Sequence, residues 1–149
     1  MKFTSWLLLA VLALVFVPLK PVNAGQPKKN KLVVKVTGIK SSGGTIKIGL
    51  FNKKAGFPNI ARVMRGINKR NRRKQVVGVF SNLPAGRYAV AIVHDENNNG
   101  RLDKNILGMP KEGYGFSRNV KPMMSAPSFS ATSFQLGGKT KNISIRMRY

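Results

Sequence analysis

Short segments in which apolar and polar residues alternate are spread over residues 32–149, and a period of two is typical of β-strands. Turn residues, mainly Gly and Pro, separate these segments. Helical spacing is rare. The pattern therefore predicts an all-β fold, a β-sandwich of about six to seven antiparallel strands. The predicted strands cover residues 32–37, 45–51, 76–80, 87–94, 128–136 and 143–149.

Turn chemistry and side-chain pattern also predict how some strands are placed. The first two strands are separated by residues 41–44, Ser-Ser-Gly-Gly, so we expect them to form a hairpin. Strand 87–94 carries apolar residues on both faces, as expected at the centre of a sheet. The last strand is predicted to be antiparallel and half-buried, because its apolar residues share one face: Ile143, Ile145, Met147 and Tyr149.

One segment, residues 52–75, breaks the alternation. A few apolar residues between Ile60 and Ile67 lie at helical spacing, but Gly66 stands among them and no N-cap is evident, so a long mobile loop and a short helix both remain open. The segment is strongly basic; its cations are Arg62, Arg65, Lys69, Arg70, Arg72, Arg73 and Lys74. No aromatic residue interleaves with them, which favours a solvated cationic loop over a single-strand nucleic-acid groove.

The whole chain is basic. It has 27 Lys and Arg residues against 4 Asp and Glu, a formal net charge of +23. Such a field attracts anionic surfaces, among them lipid head groups, wall polymers, polysaccharide and nucleic acid. We predict contact with an anionic envelope polymer or with lipid head groups through the cations of residues 62–74. We do not predict a specific nucleic-acid site.

The first 24 residues have the layout of a signal peptide. Lys2 supplies a positive start, residues 6–17 are an apolar run that Pro18 ends, and Ala24 closes a cleavage site of compact residues. A membrane anchor is the alternative, but the run is shorter than the ~20 residues that span a bilayer. The chain has no Cys, so neither lipid attachment nor disulfides apply. We predict a single domain, residues 25–149, exported to the periplasm or beyond the cell, with no transmembrane segment.

All four acidic residues and the only histidine lie in one stretch, residues 94–117. Scattered carboxylates would relieve the self-repulsion of a basic chain, so their confinement indicates a local purpose. Counted from Asp95, oxygen-bearing side chains occupy alternate positions as in a calcium loop, and Gly100 stands where such a loop turns. The candidate calcium ligands are Asp95, Asn97, Asn99, the Arg101 carbonyl and Asp103.

The calcium loop is incomplete, and a simpler interpretation exists. Ile106 stands where a bidentate Glu is expected, a strand rather than a helix precedes the loop, and Glu112 could supply the missing carboxylate only by folding back. Alternatively, the Asp and Asn side chains make Asx turns and need no metal. The sequence leaves both open, and any calcium affinity is expected to be weak, with a dissociation constant of roughly 10⁻⁴–10⁻³ M.

His94 is a candidate for catalysis. It shares a face with apolar residues of its strand, which favours a histidine at the rim of the core. The alternative is a small periplasmic hydrolase in which His94 acts as a general base with Asp95 or Glu112. No nucleophile motif accompanies it and one histidine cannot build a typical zinc site, so the non-catalytic interpretation is favoured.

Two aromatic residues, Tyr114 and Phe116, follow the acidic stretch on a glycine-rich backbone. They are expected either to pin the loop by burial, the commoner fate of such side chains, or to line a small groove for a sugar or peptide.

Residues 83–117, LPAGRYAVAIVHDENNNGRLDKNILGMPKEGYGFS, resemble the signature of a family of exported bacterial proteins, domain-of-unknown-function family 2141. The resemblance extends more loosely over residues 32–149 and implies a prealbumin-like or immunoglobulin-like β-sandwich, with no established activity. The acidic loop is also similar to calcium loops in bacterial surface adhesins. We therefore predict an exported non-catalytic binding or envelope-associated module, calcium being its candidate cofactor, with the hydrolase as the alternative.

Overall fold

The computed structural model describes residues 29–72 and 74–149. The predicted signal peptide, residues 1–24, and the predicted contact residue Arg73 lie outside the described residues. Among the residues described, no helix has the length and apolarity needed to cross a membrane.

Eight strands are the main regular elements of the described residues, and the helical elements there are single turns. The strands are, in chain order, β1 (Asn30–Thr37), β2 (Thr45–Phe51), β3 (Arg65–Arg70), β4 (Val76–Leu83), β5 (Gly86–Asp95), β6 (Gly113–Phe116), β7 (Phe134–Leu136) and β8 (Thr140–Arg146). Two 3-10 turns span Ile60–Arg62 and Ser117–Asn119, and a short helix, α1, spans Phe129–Thr132.

The strands form two sheets that face each other. One has the order β4-β1-β8, and the other has the order β3-β2-β5-β6 with β7 paired to the beginning of β5. Between them lies the main core, to which β1, β2 and β5 contribute alternate apolar residues. The chain is thus an all-β sandwich, which confirms the predicted class. The core includes Leu32, Val34, Val36, Ile46, Ile48, Leu50, Tyr88, Val90, Ile92 and Ile145.

The predicted hairpin of the first two strands is wrong, because β1 and β2 belong to different sheets. Each has one strongly apolar face, and these faces bury more apolar surface as opposed layers than as neighbours in one sheet. The crossing needs an irregular connection. Gly38, Gly43 and Gly44 all have positive φ there, a conformation that residues with a Cβ rarely adopt.

The basic segment holds a strand where a loop or a helix was expected. β3 pairs antiparallel with β2, Ile67 opposite Ile48, and it forms the edge of the larger sheet. Ile67 is the one half-buried residue of β3, and the other five are exposed. Backbone pairing to β2 therefore holds this strand, while its side-chain pattern carries almost no strand signal.

The last strand is half-buried as predicted, but the predicted antiparallel pairing is wrong. β8 runs parallel to β1, with Val34 opposite Ile143. The C-terminal residues then leave the smaller sheet and pair with the larger one, since Tyr114 and Arg148 exchange backbone hydrogen bonds of 2.9 and 2.8 Å. The end of the chain thereby ties the two sheets together.

The predicted strand 128–136 is in fact a helical turn followed by the short strand β7. Ser128 caps the turn, because its Oγ accepts a hydrogen bond from the Ala131 N–H at 3.2 Å. The alternating pattern therefore predicted a strand correctly at residues 134–136 and wrongly at residues 129–132. In the described part of the chain the sandwich thus has eight strands, of which one neighbouring pair is parallel, in place of about six to seven antiparallel ones.

β5 is the central strand, as its two apolar faces predicted. It pairs with β2 on one side and β6 on the other, and it is buried from Tyr88 to Asp95. Its inner face joins the main core. On its outer face the small side chain of Ala91 lies beneath a second apolar cluster that contains Phe51 and Phe116.

Candidate functional site

The acidic stretch lies at one end of the larger sheet. Thr45 pairs with both Asp95 and Arg70, so the end of β5, the start of β2 and the end of β3 form one row. The connection from β5 to β6, residues 96–112, projects from this row. The acidic loop and the basic strand therefore leave the sandwich at the same end.

Asp95 is a buried structural anion. Its side chain is 1% exposed and lies 2.9 Å from the Lys47 ammonium. The backbone N–H groups of Asn99 and Gly100 donate hydrogen bonds of 2.9 Å to its two oxygens. Burial by itself raises the pKa of Asp95, but Lys47 and the two N–H donors outweigh it and hold the pKa below its usual value. Asp95 thus stays ionised and folds the loop back on β5.

Glu112 closes the loop from the other side. It is 5% exposed, and its two carboxylate oxygens accept hydrogen bonds of 2.9 Å from the backbone N–H groups of Glu96 and Asp103. Glu112 therefore does fold back over the loop, as a calcium ligand at this position would need to. It binds backbone donors, so one carboxylate fixes both the beginning and the middle of the loop.

Three of the predicted calcium ligands converge. The side-chain amides of Asn97 and Asn99 donate to the Asp103 carboxylate at 2.7 and 2.9 Å. The amide oxygen of Asn97 accepts the Asn99 N–H and that of Asn99 accepts the Arg101 N–H, each at 3.0 Å, which are Asx turns. Asp95, by contrast, faces Lys47. The loop holds its shape through its own polar groups, and the described residues contain no cluster of three acidic or histidine side chains arranged for a metal.

His94 is fully buried, and both of its ring nitrogens are engaged. Nδ1 lies 2.8 Å from the Tyr149 hydroxyl and Nε2 lies 3.0 Å from the Gly43 carbonyl. Since the Lys40 N–H donates to that hydroxyl at 3.2 Å, a consistent network has Tyr149 donating to Nδ1 and Nε2–H donating to Gly43. The nearest carboxylate, that of Glu96, is 3.9 Å from Nδ1. This geometry gives the hydrolase alternative no support.

Two residues beside His94 were not identified from the sequence: Tyr149, and Asn71, whose amide nitrogen lies 3.4 Å from Nε2 of His94. Tyr149 packs its ring against Gly113, where a Cβ would lie 2.5 Å from a ring carbon, and burial raises the pKa of its hydroxyl. Asn71 is buried just beyond β3, and its side-chain amide donates to the Ser41 carbonyl at 2.6 Å. Neither position has a local motif; both are recognised only when residues far apart in the chain are brought together.

The two aromatic residues after the loop have separate surroundings. Phe116 is buried in the outer cluster, and its ring centroid lies 6.2 Å from that of Phe57, which itself packs edge-on to Phe129. Tyr114 is half-buried, 6.0 Å from Phe116 between ring centroids. This packing corresponds to pinning by burial rather than to an open aromatic groove.

The outer face of the larger sheet has grooves near the acidic loop and near the end of β2, and His94 lines neither of these. The one nearer the acidic loop has a volume of about 220 Å³ and a floor at Gly49, where a Cβ would come within 2.6 Å of Ile60 and Val63. Lys47 and Asn68 supply its polar rim.

The basic residues of β3 are arranged quite differently from the acids. The predicted contact residues Arg62, Arg65, Lys69, Arg70, Arg72 and Lys74 are all exposed. Arg65 reaches across to the smaller sheet and donates to the Ser81 carbonyl at 2.7 Å. The side chains of Lys69, Arg70 and Arg72 make no hydrogen bond or ion pair with any described residue, so their charge faces solvent.

Fold and site together define a small all-β sandwich with a self-supporting acidic loop and an exposed cationic edge strand. The chain belongs to the family described as "Uncharacterized protein conserved in bacteria (DUF2141)", whose model matches residues 34–144, well over half of its length. This confirms the resemblance seen in the sequence. Searches of curated proteins and of solved structures found no match.

Proposed function

We propose that this protein is an exported, non-catalytic module that binds an anionic surface of the bacterial envelope through the edge strand β3 and the residues that follow it. The observation that carries the proposal is the contrast between free cations and engaged anions at one end of the sandwich. Export rests on the signal-peptide pattern of residues 1–24.

The cations are placed for contact with a surface. Lys69, Arg70 and Arg72 are exposed and unpaired among the described residues, and Asn71 anchors the backbone between them. The Asn71 N–H and carbonyl both bond to the glycine turn at Gly43 and Gly44, at 3.0 and 3.1 Å. A fixed backbone holds the three exposed side chains at one end of the sheet, so little backbone conformational entropy is lost on binding.

Among the described residues, the nearby acids bind partners other than these three cations. Asp95 is paired with Lys47, Glu112 is buried against backbone donors, and Asp103 is held by two amides. The remaining acid, Glu96, is exposed and accepts a hydrogen bond from the Ser41 hydroxyl at 2.9 Å. Each Lys or Arg near an anionic membrane contributes about 1 kcal/mol of binding.

The proposal is tested by sedimentation with lipid vesicles and by retention on an anionic polymer. We expect binding to vesicles that contain phosphatidylglycerol or to the polymer at low salt, weak binding to phosphatidylcholine alone, and loss of binding near 1 M salt, where the screening length falls to about 3 Å. Binding that persists at high salt, or that is equal on neutral vesicles, would refute it.

Calcium binding to the loop is a second proposal. It is supported by the convergence of Asn97, Asn99 and Asp103, which brings three oxygen-bearing side chains together. An ion there requires both amides to turn their oxygens toward it. Lys47 already neutralises Asp95, so we propose that calcium stabilises the loop modestly and acts at the Asp103 end.

A further inference from the structure

The loop that contains the acids ends in a second, apolar feature. Residues 104–110 form a tight hairpin in which Lys104 and Pro110 are bridged across its base. At its tip the side chains of Ile106, Leu107 and Met109 are exposed by 102%, 79% and 59%. Three large apolar side chains so exposed on one short turn are unusual for a surface that faces only water.

Most backbone N–H groups of the hairpin donate hydrogen bonds to acceptors within the hairpin. The Asn105 side-chain oxygen accepts the N–H groups of Leu107 and Met109 at 3.0 and 2.9 Å. The Gly108 N–H donates to the Asn105 carbonyl at 2.9 Å, and the Asn105 N–H donates to the Met109 carbonyl at 2.8 Å. Backbone donors that are bonded internally can leave water at little cost, which is the main requirement for entering lipid.

Positive charge flanks the apolar tip. Lys104 and Lys111 stand on either side of its base and Arg101 precedes them, all three exposed. The acids nearest in sequence, Asp103 and Glu112, are occupied by amide and backbone donors. If the apolar tip enters the acyl-chain region, the cations behind it lie at the level of the anionic head groups. The arrangement of the hairpin therefore matches the layers of an anionic bilayer.

We infer that the hairpin 104–110 inserts its apolar tip into the interface of an anionic lipid bilayer, while the cations of the hairpin and of β3 contact phosphate head groups. This inference rests on the proposed function and selects lipid from among the anionic surfaces it allows. The row Arg70–Thr45–Asp95 places the end of β3 and the start of the acidic loop at the same end of the sheet. Both features can therefore meet one membrane.

A single fluorescent label tests insertion directly. The chain has no Cys, so Leu107→Cys provides a unique attachment point for an environment-sensitive dye. The chain from residue 25 onward is used because it contains every strand of both sheets and lacks the apolar run. With phosphatidylglycerol vesicles we expect the emission to shift to the blue and to be quenched by nitroxide-bearing lipids. The matched control is Met124→Cys, at a methionine that is 102% exposed on another loop, whose label is expected to remain in water.

A charge-neutral double variant measures the contribution of the tip. Ile106→Ser with Leu107→Ser is expected to lower vesicle binding by roughly tenfold or more. Met123→Ser with Met124→Ser, equally neutral in charge and at least as exposed on average, should leave binding unchanged. Because both pairs preserve every cation, salt-sensitive adhesion to an anionic polymer should survive in each.

The outcomes separate the two claims. If the protein sediments with anionic vesicles while the label at residue 107 stays in water, the hairpin inference is overturned and surface binding stands. If neither anionic vesicles nor an anionic polymer retains the protein at low salt, the proposed function fails. A third outcome is that the variant with Ile106→Ser and Leu107→Ser loses self-association while its vesicle binding is unchanged. This would assign the tip to contact with a second copy of the chain and would overturn the inference.

Discussion

The acidic loop and the basic edge strand leave the same end of the larger sheet but use their charges in opposite ways. In the loop, Asp95 and Glu112 are almost fully buried and bind backbone N–H groups. In β3 and just beyond it, the charged ends of Lys69, Arg70 and Arg72 remain in solvent. The carboxylates of the loop stabilise the fold, whereas the cations of β3 remain free to bind an anionic surface.

This difference explains why the acids are confined. A long, Gly- and Asn-rich connection has few apolar contacts to order it, and buried carboxylates that accept two backbone donors each are efficient anchors. Lys69, Arg70 and Arg72 make no comparable contacts with the described residues, so their charges do not hold the fold in this way. We therefore expect acid substitutions to change stability and cation substitutions to change binding.

The largest expected effect is that of Glu112→Ala. It leaves the N–H groups of Glu96 and Asp103 without their shared acceptor, and hydrogen bonds to a charged group contribute about 1.5–3 kcal/mol each. We expect the free energy of unfolding to fall by about 3 kcal/mol and the melting temperature by on the order of 10 °C. Glu96→Ala is the matched control at an exposed acid and should change stability by less than about 1 kcal/mol. Equal losses in the two variants would contradict the anchoring role of Glu112.

Asp95→Asn is expected to lower the free energy of unfolding by a smaller amount, about 2 kcal/mol. The ion pair with Lys47 is lost, but the amide oxygen can still accept a hydrogen bond from the backbone N–H donors. The effect should depend on pH. The pKa of Asp95 is lowered in the folded state from an ordinary 3.8, so its contribution is complete above that value and is lost as pH falls through the folded-state pKa. Urea unfolding at a series of pH values should show the wild-type advantage shrinking below about pH 4. A difference independent of pH would argue against an ionised anchor.

Calcium tests whether the loop also uses a metal. Binding to the folded state alone adds about 1.4 kcal/mol at a concentration ten times the dissociation constant. We expect millimolar calcium to raise the melting temperature by a few degrees and magnesium to raise it less. Asp103→Ala should abolish the gain and Glu96→Ala should retain it. Identical melting curves in calcium and in chelator would leave the Asx turns and Lys47 as the whole explanation.

The sequence predicted the parts of the fold that have a local signal. β5 shows two apolar faces, and β2 alternates cleanly, so both were located correctly. β3 has one inward apolar residue, Ile67, and depends on backbone pairing with β2, which no side-chain pattern reveals. The partners of β1 and the parallel direction of β8 are set by how opposed layers bury their apolar faces, a property of the whole chain.

The candidate site shows the same division. The acidic loop and the exposed cations were predicted, and Asx turns were one of two alternatives for the loop, because the residues concerned are contiguous. The residues that complete the site come from elsewhere, since Lys47 reaches Asp95 from β2 and Tyr149 reaches His94 from the C-terminus. Such pairs have no spacing rule, so the hydrogen-bond partners of His94 became clear only from the three-dimensional arrangement.

The smallest expected change in stability accompanies the most direct test of surface binding. A triple variant with Gln at Lys69, Arg70 and Arg72 lacks three unpaired charges. Surface substitutions of this kind usually change the free energy of unfolding by less than about 0.5 kcal/mol each. A control variant carries Gln at Lys35, Lys121 and Lys139, exposed cations outside β3, and has the same net charge.

Binding of the two variants to phosphatidylglycerol vesicles at low salt is the decisive measurement. We expect the β3 variant to bind on the order of a hundredfold more weakly than wild type, from about 1 kcal/mol for each of the three charges near the membrane, while the control variant stays within a few-fold of wild type. Equal weakening in both variants would show that only the net charge of the protein matters and would contradict a binding surface at β3.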